Sequence, residues 1–556
     1  MKKLRLFIVG FLVLLSSCEN ELPVELDVLP IPEDNNLVCE DESFVPYEGM
    51  MQLGEKLENP YSVTNMRRAL ELLPAESRNG YVAEDVQPTH LYVKFKPANV
   101  DELDALYWSD ESLDFYSFPL DYERIQNGSY YHDPSLPADV PTYQYVSIPV
   151  ERPIPDVCDY EILEELYIPE EVTEQTRSLS PMFINAIVKK SFELTNNKYT
   201  CDAVATRSDG VTRASYTYSG RIRVFDELIG DYIPVPGALI KCTHWFTTVR
   251  ALTNTNGIYT MTRESQNEYT YYIYWERDDM YDIRDGELEQ AVSNGPKQVA
   301  GWSIDIGTSS PRGINYATIG RAAYRYFYAN TGGIYKMSPP STGNLKICYK
   351  HTYHEDGYWG QFLGLTTLGT IGDIWIYARK SETEKLETHQ VFATAIHEMG
   401  HANEYNAKTV LSYQVTDDFI HESWARLVQA YICYLEYGEL GLYELWTFSF
   451  EDFCSLYQYE IGIRSSWNWT SQSQNDYSCL FIDLYDNYNQ REHNNGNTTY
   501  PNDNIRGYFV SDLNNYVNQS QQLSDLRQLL KSKKPSTVTD AMIDELIDFY
   551  NTYKPE

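Results

Sequence analysis

The sequence predicts a multidomain chain with an α+β N-terminal domain, a small β-sandwich, and an α+β core carrying a mostly helical C-terminal subdomain. Three observations predict this. The chain has 556 residues, enough for three or more domains with ample core. A polar stretch from Ala205 to Arg213 reads as a linker. The periodicity also changes along the chain. Short strands alternate with helices before the linker, strand-and-turn signals follow it, and helical spacing dominates after Gly438.

Met1 to Cys18 reads as a secretion signal. Lys2, Lys3 and Arg5 form its basic region, and Leu6 to Leu15 is an apolar core too short to span a bilayer as a mature helix. Leu15-Ser16-Ser17-Cys18 resembles a bacterial lipobox. That resemblance implies cleavage before Cys18, lipid on its thiol, and an outer-membrane lipoprotein held through that lipid alone. Glu19-Asn20-Glu21 is similar to a surface-export signal of some outer-membrane lipoproteins. Residues 19–42 are acidic, contain Pro and lack periodicity, so they read as a tether.

The first block covers residues 43–204. Asn59-Pro60-Tyr61-Ser62 reads as a turn and cap before a helix from Val63 to about Leu73. His90 to Phe95 alternates like a half-buried strand, and Val100 to Tyr107 reads as a short helix. Tyr143 to Ile148 is a further strand and Pro181 to Leu194 a further helix. The block has no catalytic constellation. It compares with a propeptide or inhibitory domain, or equally with a spacer or binding module.

Residues 214–284 carry the strand signals. Gly220 to Phe225 alternates, Val235-Pro236-Gly237-Ala238-Leu239-Ile240 follows, and Asn256-Gly257 is a hairpin-turn signal. Tyr269 to Trp275 is another strand. This order resembles the carboxypeptidase-regulatory-like β-sandwich, which implies an accessory module without catalysis.

Residues 285–438 form the third block. Ile314 to Tyr328 is expected as a helix and Leu345 to Tyr349 as a strand. Ile371 to Ala378 reads as a strand by its β-branched and aromatic content. It is either an edge strand able to pair with an extended peptide or a plain core strand. Next comes Ala395-Ile396-His397-Glu398-Met399-Gly400-His401-Ala402, an H-E-x-x-H motif on an expected helix. Residues four apart share a helix face, so His397 and His401 can aim two imidazoles at one Zn²⁺, with Glu398 beside them as general base. A metzincin would place Gly and His at positions that here hold Glu404 and Ala407. A second helix opens near Asp417, with Trp424, Leu427, Val428, Tyr431 and Ile432 at helical spacing. Glu422 falls 21 positions after His401.

That spacing resembles the gluzincins, the thermolysin-like zinc peptidases. The resemblance implies His397, His401 and Glu422 as ligands of one zinc ion and Glu398 as the base. His421 is the rival third ligand. Thermolysin-type enzymes carry an Asp four residues after the ligand Glu, and here that position is Arg426. Asp417 and Asp418 are candidates to orient a ligand imidazole instead. The expected activity is hydrolysis of extracellular proteins or glycoproteins. An enhancin-like mucin-directed peptidase and a non-catalytic binding lipoprotein on the same scaffold are the other readings. Residues 439–556 are mostly helical, through Cys479 to Tyr488, Ile505 to Leu530 and Ala541 to Tyr550. Tyr405, Tyr413 and His493 are candidate transition-state donors by residue type.

Composition excludes one partner class. The chain carries 44 Lys and Arg against 80 Asp and Glu, a formal charge of −36. Loss of the three basic signal residues takes it to about −39. Such a chain repels nucleic acid and anionic lipid. Eight Cys beyond Cys18 show no disulfide framework, and no C-x-x-C occurs.

Overall fold

A mixed sheet and three long helices carry the motif. The computed structural model describes residues 17–18 and 48–553, except 79, 111, 170–180, 200–215, 266–267, 278–279, 339–343, 356–358, 364–372, 446 and 458–477. The signal core, the tether, the linker 205–213 and the Cys18 side chain lie outside the described residues. The fold is α+β, with several sheets and a mostly helical C-terminal region. Among the described residues no helix is long and apolar enough to cross a membrane.

In the N-terminal block, His90–Lys96 is the middle of three antiparallel strands, flanked by Gln144–Pro149 and Asp159–Leu166. Helices Val63–Leu72, Val100–Ser109 and Pro181–Leu194 accompany them. Ser62 caps the first by accepting from the Asn65 backbone N–H at 3.1 Å. The strand Asp159–Leu166 carries no sequence signal because most of its residues are exposed, so neither face is written in apolar residues.

The sandwich is two four-stranded sheets. One has the order Thr247–Leu252, Leu239–His244, Tyr269–Tyr274, Val292–Gln298. The other is Ile258–Ser265, Tyr216–Asp226, Ile304–Ile306, with Asp231–Pro234 also on Tyr216–Asp226. The sandwich therefore draws strands from beyond residue 284, while Tyr281–Asp285 leaves it to pair in parallel with Leu345–Lys350. The expected division at 284/285 cuts that strand, and one apolar core runs from Tyr218 to Tyr550. Asn256-Gly257 is a turn but not a hairpin. Its flanking strands pair in different sheets, with Thr247–Leu252 on Leu239–His244 and Ile258–Ser265 on Tyr216–Asp226. The turn is tied by the Asn254 carboxamide, which accepts from the backbone of Asn256 and Ile258. Gly257 has φ 71°, and a Cβ there would meet the Ile222 carbonyl at 2.3 Å, so only glycine fits.

In the sheet of the motif block, Ile374–Tyr377 is parallel to Leu345–Lys350 and antiparallel to Gly360–Phe362. Ile374–Tyr377 is thus an interior strand, and the edge-strand reading of Ile371 to Ala378 is replaced. The strand outside it is Gly360–Phe362, whose outer side pairs with Ser17–Cys18. Gly360–Phe362 went unread because it is three residues long.

Helix Pro311–Phe327, the motif helix Thr388–Ala407 and the glutamate helix Asp418–Glu439 share the main core. Glu227, from the sandwich, accepts the Thr388 backbone N–H at 2.7 Å and its hydroxyl too. A carboxylate there satisfies an orphan amide and complements the helix dipole. Asp226, fully buried, accepts from the Tyr437 hydroxyl at 3.1 Å and lies 3.6 Å from the Arg321 guanidinium. Arg321 also pairs with Glu436 at 2.6 Å. Adjacent sandwich residues thus hold the start of the motif helix and the end of the glutamate helix. Glu227→Ala is expected to lower the unfolding free energy by about 1–2 kcal/mol, read from urea denaturation. An unchanged midpoint would mean that other contacts hold this helix start.

Candidate metal centre

The motif helix starts after Glu387, whose backbone N–H donates to the Gln390 side chain at 3.0 Å. It runs unbroken through His397 and His401, which lie one turn apart. The glutamate helix starts after Asp417, whose side chain accepts from the Phe419 backbone N–H at 3.2 Å. Glu422 lies just over one turn in. Gly400 faces the glutamate helix, where a Cβ would make ordinary contact with the Ala425 Cα at 3.4 Å.

This crossing brings three donor atoms together. His397 Nε2 is 3.2 Å from His401 Nε2 and 3.3 Å from Glu422 Oε2. His401 Nε2 is 3.4 Å from Glu422 Oε1. Ligands about 2.0–2.1 Å from a tetrahedral ion sit about 3.3 Å from one another. The observed separations match that edge length, so the group could hold a metal ion. All three residues are buried, at 1–3 % exposure.

The three groups shift in different directions. Burial pushes His397 down to about 4, which leaves the neutral imidazole a metal needs. Burial also pulls His401 down, but Glu422 outweighs it and carries His401 up to about 9. Burial raises Glu422, yet His401 and His397 hold it well below the usual carboxylate range. A proton between His401 and Glu422 thus supplies positive charge where a cation would supply more.

Glu398 is 1 % exposed, and neither oxygen makes a hydrogen bond of normal geometry among the described residues. Burial pushes it up to about 8, against the smaller opposing pull of His401 and the Phe362 backbone N–H. Strand Gly360–Phe362 lies directly over this carboxylate. A Cβ at Gly360 would stand 2.7 Å from Glu398 Oε1 and 2.6 Å from Thr394 Cγ2. Phe362 stacks on His401, with ring centres 6.3 Å apart.

His421 is spoken for and does not compete with Glu422. Its Nδ1 donates to Glu404 at 2.8 Å and its Nε2 to the Tyr413 carbonyl at 3.2 Å. With both nitrogens engaged by oxygen atoms, the ring stands outside the three-residue metal group. Burial raises Glu404, but His421 and then Lys408 outweigh it and hold the carboxyl down at about 2. Lys408 also reaches Thr416 and the Ser520 carbonyl, both at 3.1 Å. This buried triad ties the motif helix to the glutamate helix. Nothing in the motif pattern signalled it.

The other candidates divide. Asp417 caps its own helix. Asp418 feels both Glu422 and His401 electrostatically, so it lies near the centre. Arg426 is buried and its charge reaches His397. Tyr413 senses the charges of Glu404, Glu422 and Glu398 and packs against Phe362 and Tyr405. Tyr405 is part of that aromatic wall. His493 is exposed, bonds the Asn489 carbonyl at 2.8 Å and stacks on Tyr488. Among the described residues Cys158, Cys242 and Cys348 are free thiols.

Glu404→Gln leaves Lys408 buried without its counter-charge and His421 without its carboxylate partner. At pH 7 it is expected to cost about 3–5 kcal/mol in chemical denaturation. The folded pKa of Glu404 is depressed, so its contribution is complete above the unfolded value near 4.3 and fades as pH falls toward about 2. The gap between parent and variant should therefore narrow below about pH 4; a gap constant from pH 7 to 3 would refute the ionic origin. His397→Ala is expected to abolish stoichiometric metal in elemental analysis, and full occupancy there would refute the ligand set.

No protein-family model, no curated protein and no solved structure matches this chain.

Proposed function

We propose that the chain is a zinc-dependent endopeptidase of the gluzincin type, with His397, His401 and Glu422 as ligands and Glu398 as general base. One observation carries the reading: three buried donor atoms at tetrahedral spacing, with a buried carboxylate one residue from the first. Two imidazoles and one carboxylate are a donor set that suits zinc and leaves a fourth position open. A zinc ion there supplies Lewis acidity, lowering the pKa of water and polarising a peptide carbonyl. Glu398 takes the proton of the attacking water and returns it to the leaving amine. Its elevated affinity for protons in a dry site suits both steps. Tyr413 is the candidate donor to the oxyanion.

The substrate strand would run along Gly360–Phe362. That edge already takes extended backbone, since Ser17–Cys18 of the chain pair there. The lipobox-like segment ending at Cys18 supports an outer-membrane lipoprotein facing outward, with extracellular proteins or glycoproteins as substrates. The acidic charge argues against nucleic-acid partners.

Digestion of a peptide library with and without a chelator tests activity, metal dependence and preference together. Cleavage that stops on chelation and returns with zinc is expected. Glu398→Gln should keep the metal and lose about 10²–10⁴-fold in rate. Hydrolysis retained in that variant would remove Glu398 from its role and favour a binding protein on this scaffold.

A further inference from the structure

A cavity of about 110 Å³ opens between the N-terminal block and the sandwich, and no metal-centre residue lines it. One water needs roughly 10–15 Å³ on the same measure, so this space takes a small organic ligand. Tyr107 and Trp108, at the end of helix Val100–Ser109, form part of its wall. Tyr274 of the sandwich and Asp282 and Arg284 of strand Tyr281–Asp285 form another part. The rings of the wall are not equally available. Phe115 packs edge-on to Tyr107, with ring centres 5.5 Å apart, and the Tyr107 hydroxyl donates to Gln144 at 2.9 Å. Lys241 Nζ stands 4.0 Å over the Tyr274 ring. Trp108 is the lining ring left open, at 37 % exposure.

Every cation of the lining already has a carboxylate partner. Arg284 pairs with Asp282 at 2.7 Å and with Asp104 at 3.1 Å. Lys241 pairs with Glu276 at 2.9 Å, Arg250 with Asp114 at 2.6 Å, and Lys346 with Asp104. Four cations thus meet four carboxylates, and the cavity offers no net charge to an ion. An ionic ligand would have to break a buried or half-buried pair, which is costly. Two buried polar atoms of the lining residues have no hydrogen-bond partner among the described residues, Tyr274 Oη and Asp282 Oδ1. The phenol can donate and the carboxylate oxygen can accept, and a hydroxyl group answers both. Buried polar atoms left unpaired call for such a partner.

We propose that this cavity binds one neutral sugar ring, with the face of the ring on Trp108 and its hydroxyls on Tyr274 and Asp282. A pyranose carries apolar C–H bonds on its face and hydroxyls around its rim. The electron-rich face of an indole attracts the C–H bonds. The paired side chains around it supply donors and acceptors without favouring either sign of charge. A neutral molecule dense in hydroxyls is the ligand class that meets all three conditions. The site gives the N-terminal block a binding role that does not pass through the metal centre, since Trp108 comes from that block.

The test is calorimetry and saturation-transfer NMR on the full chain, titrated in turn with glucose, galactose, mannose and N-acetylglucosamine, then with glycine and inorganic phosphate. Saturable binding of at least one sugar, with a change in tryptophan fluorescence, is expected, and neither glycine nor phosphate should displace it. Trp108→Ala should weaken that sugar about tenfold, and Trp108→Phe should keep most of the affinity. Trp108→Leu retains bulk without the ring and should weaken binding as Trp108→Ala does, so a loss of fold in one variant leaves the test intact. His397→Ala should bind the sugar as the parent does. No saturable binding of any of the four sugars would overturn the site. Sugar binding left intact by Trp108→Ala and Trp108→Leu, sugar binding lost in His397→Ala, or displacement of the sugar by glycine or phosphate would overturn it as well.

Discussion

Two imidazoles and a carboxylate meet at one buried point, and the rest of the domain is built to tolerate that. Desolvating a carboxylate costs several kcal/mol unless positive charge stands beside it. Without an ion, His401 is the group that does most to offset the burial of Glu422. With an ion, the same three atoms stand at the edge length of a tetrahedron. A group so placed could hold a metal ion.

Holding that point requires two helices in fixed register, and the fixings come from outside the motif. Glu227 holds the start of the motif helix from the sandwich. The Glu404–Lys408–His421 triad joins the two helices beyond the ligands. Arg321 and Arg325 clamp the far end of the glutamate helix through Glu436 and Glu439. Apart from the exposed Glu439 end, these ties are charged and buried or half-buried, so they are costly to break on one side. The geometry of the centre is therefore set by ionic contacts distributed over about two hundred residues of sequence.

Much of this was legible in the chain, and the limits have physical causes. His397, Glu398 and His401 are readable because helix period fixes their relative placement. Glu422 is readable through its distance from His401 and through a resemblance, and the structure puts it where that reading needs it. The helices Val63–Leu72 and Pro181–Leu194 follow from capping and periodicity. What could not be read depends on partners distant in sequence. Nothing near His421 reveals that both its nitrogens are engaged. Nothing in Ile371 to Ala378 says that three residues farther upstream would cover it. Asp159–Leu166 is too exposed to show alternation. Asp483, in the short helix Leu480–Tyr485, and Asp503, in a later loop, carry no signal in the sequence of their burial.

The Asp226-Glu227 pair changes how the sandwich should be regarded. Modules of this kind are commonly pictured as portable cassettes, appended or exchanged without disturbing their host. Here one residue of the pair reaches the beginning of one ligand-bearing helix, and its neighbour reaches the end of the other. Transplanting the downstream half alone would strip both anchors at once. The two regions therefore share the contacts that fix the ligand-bearing helices.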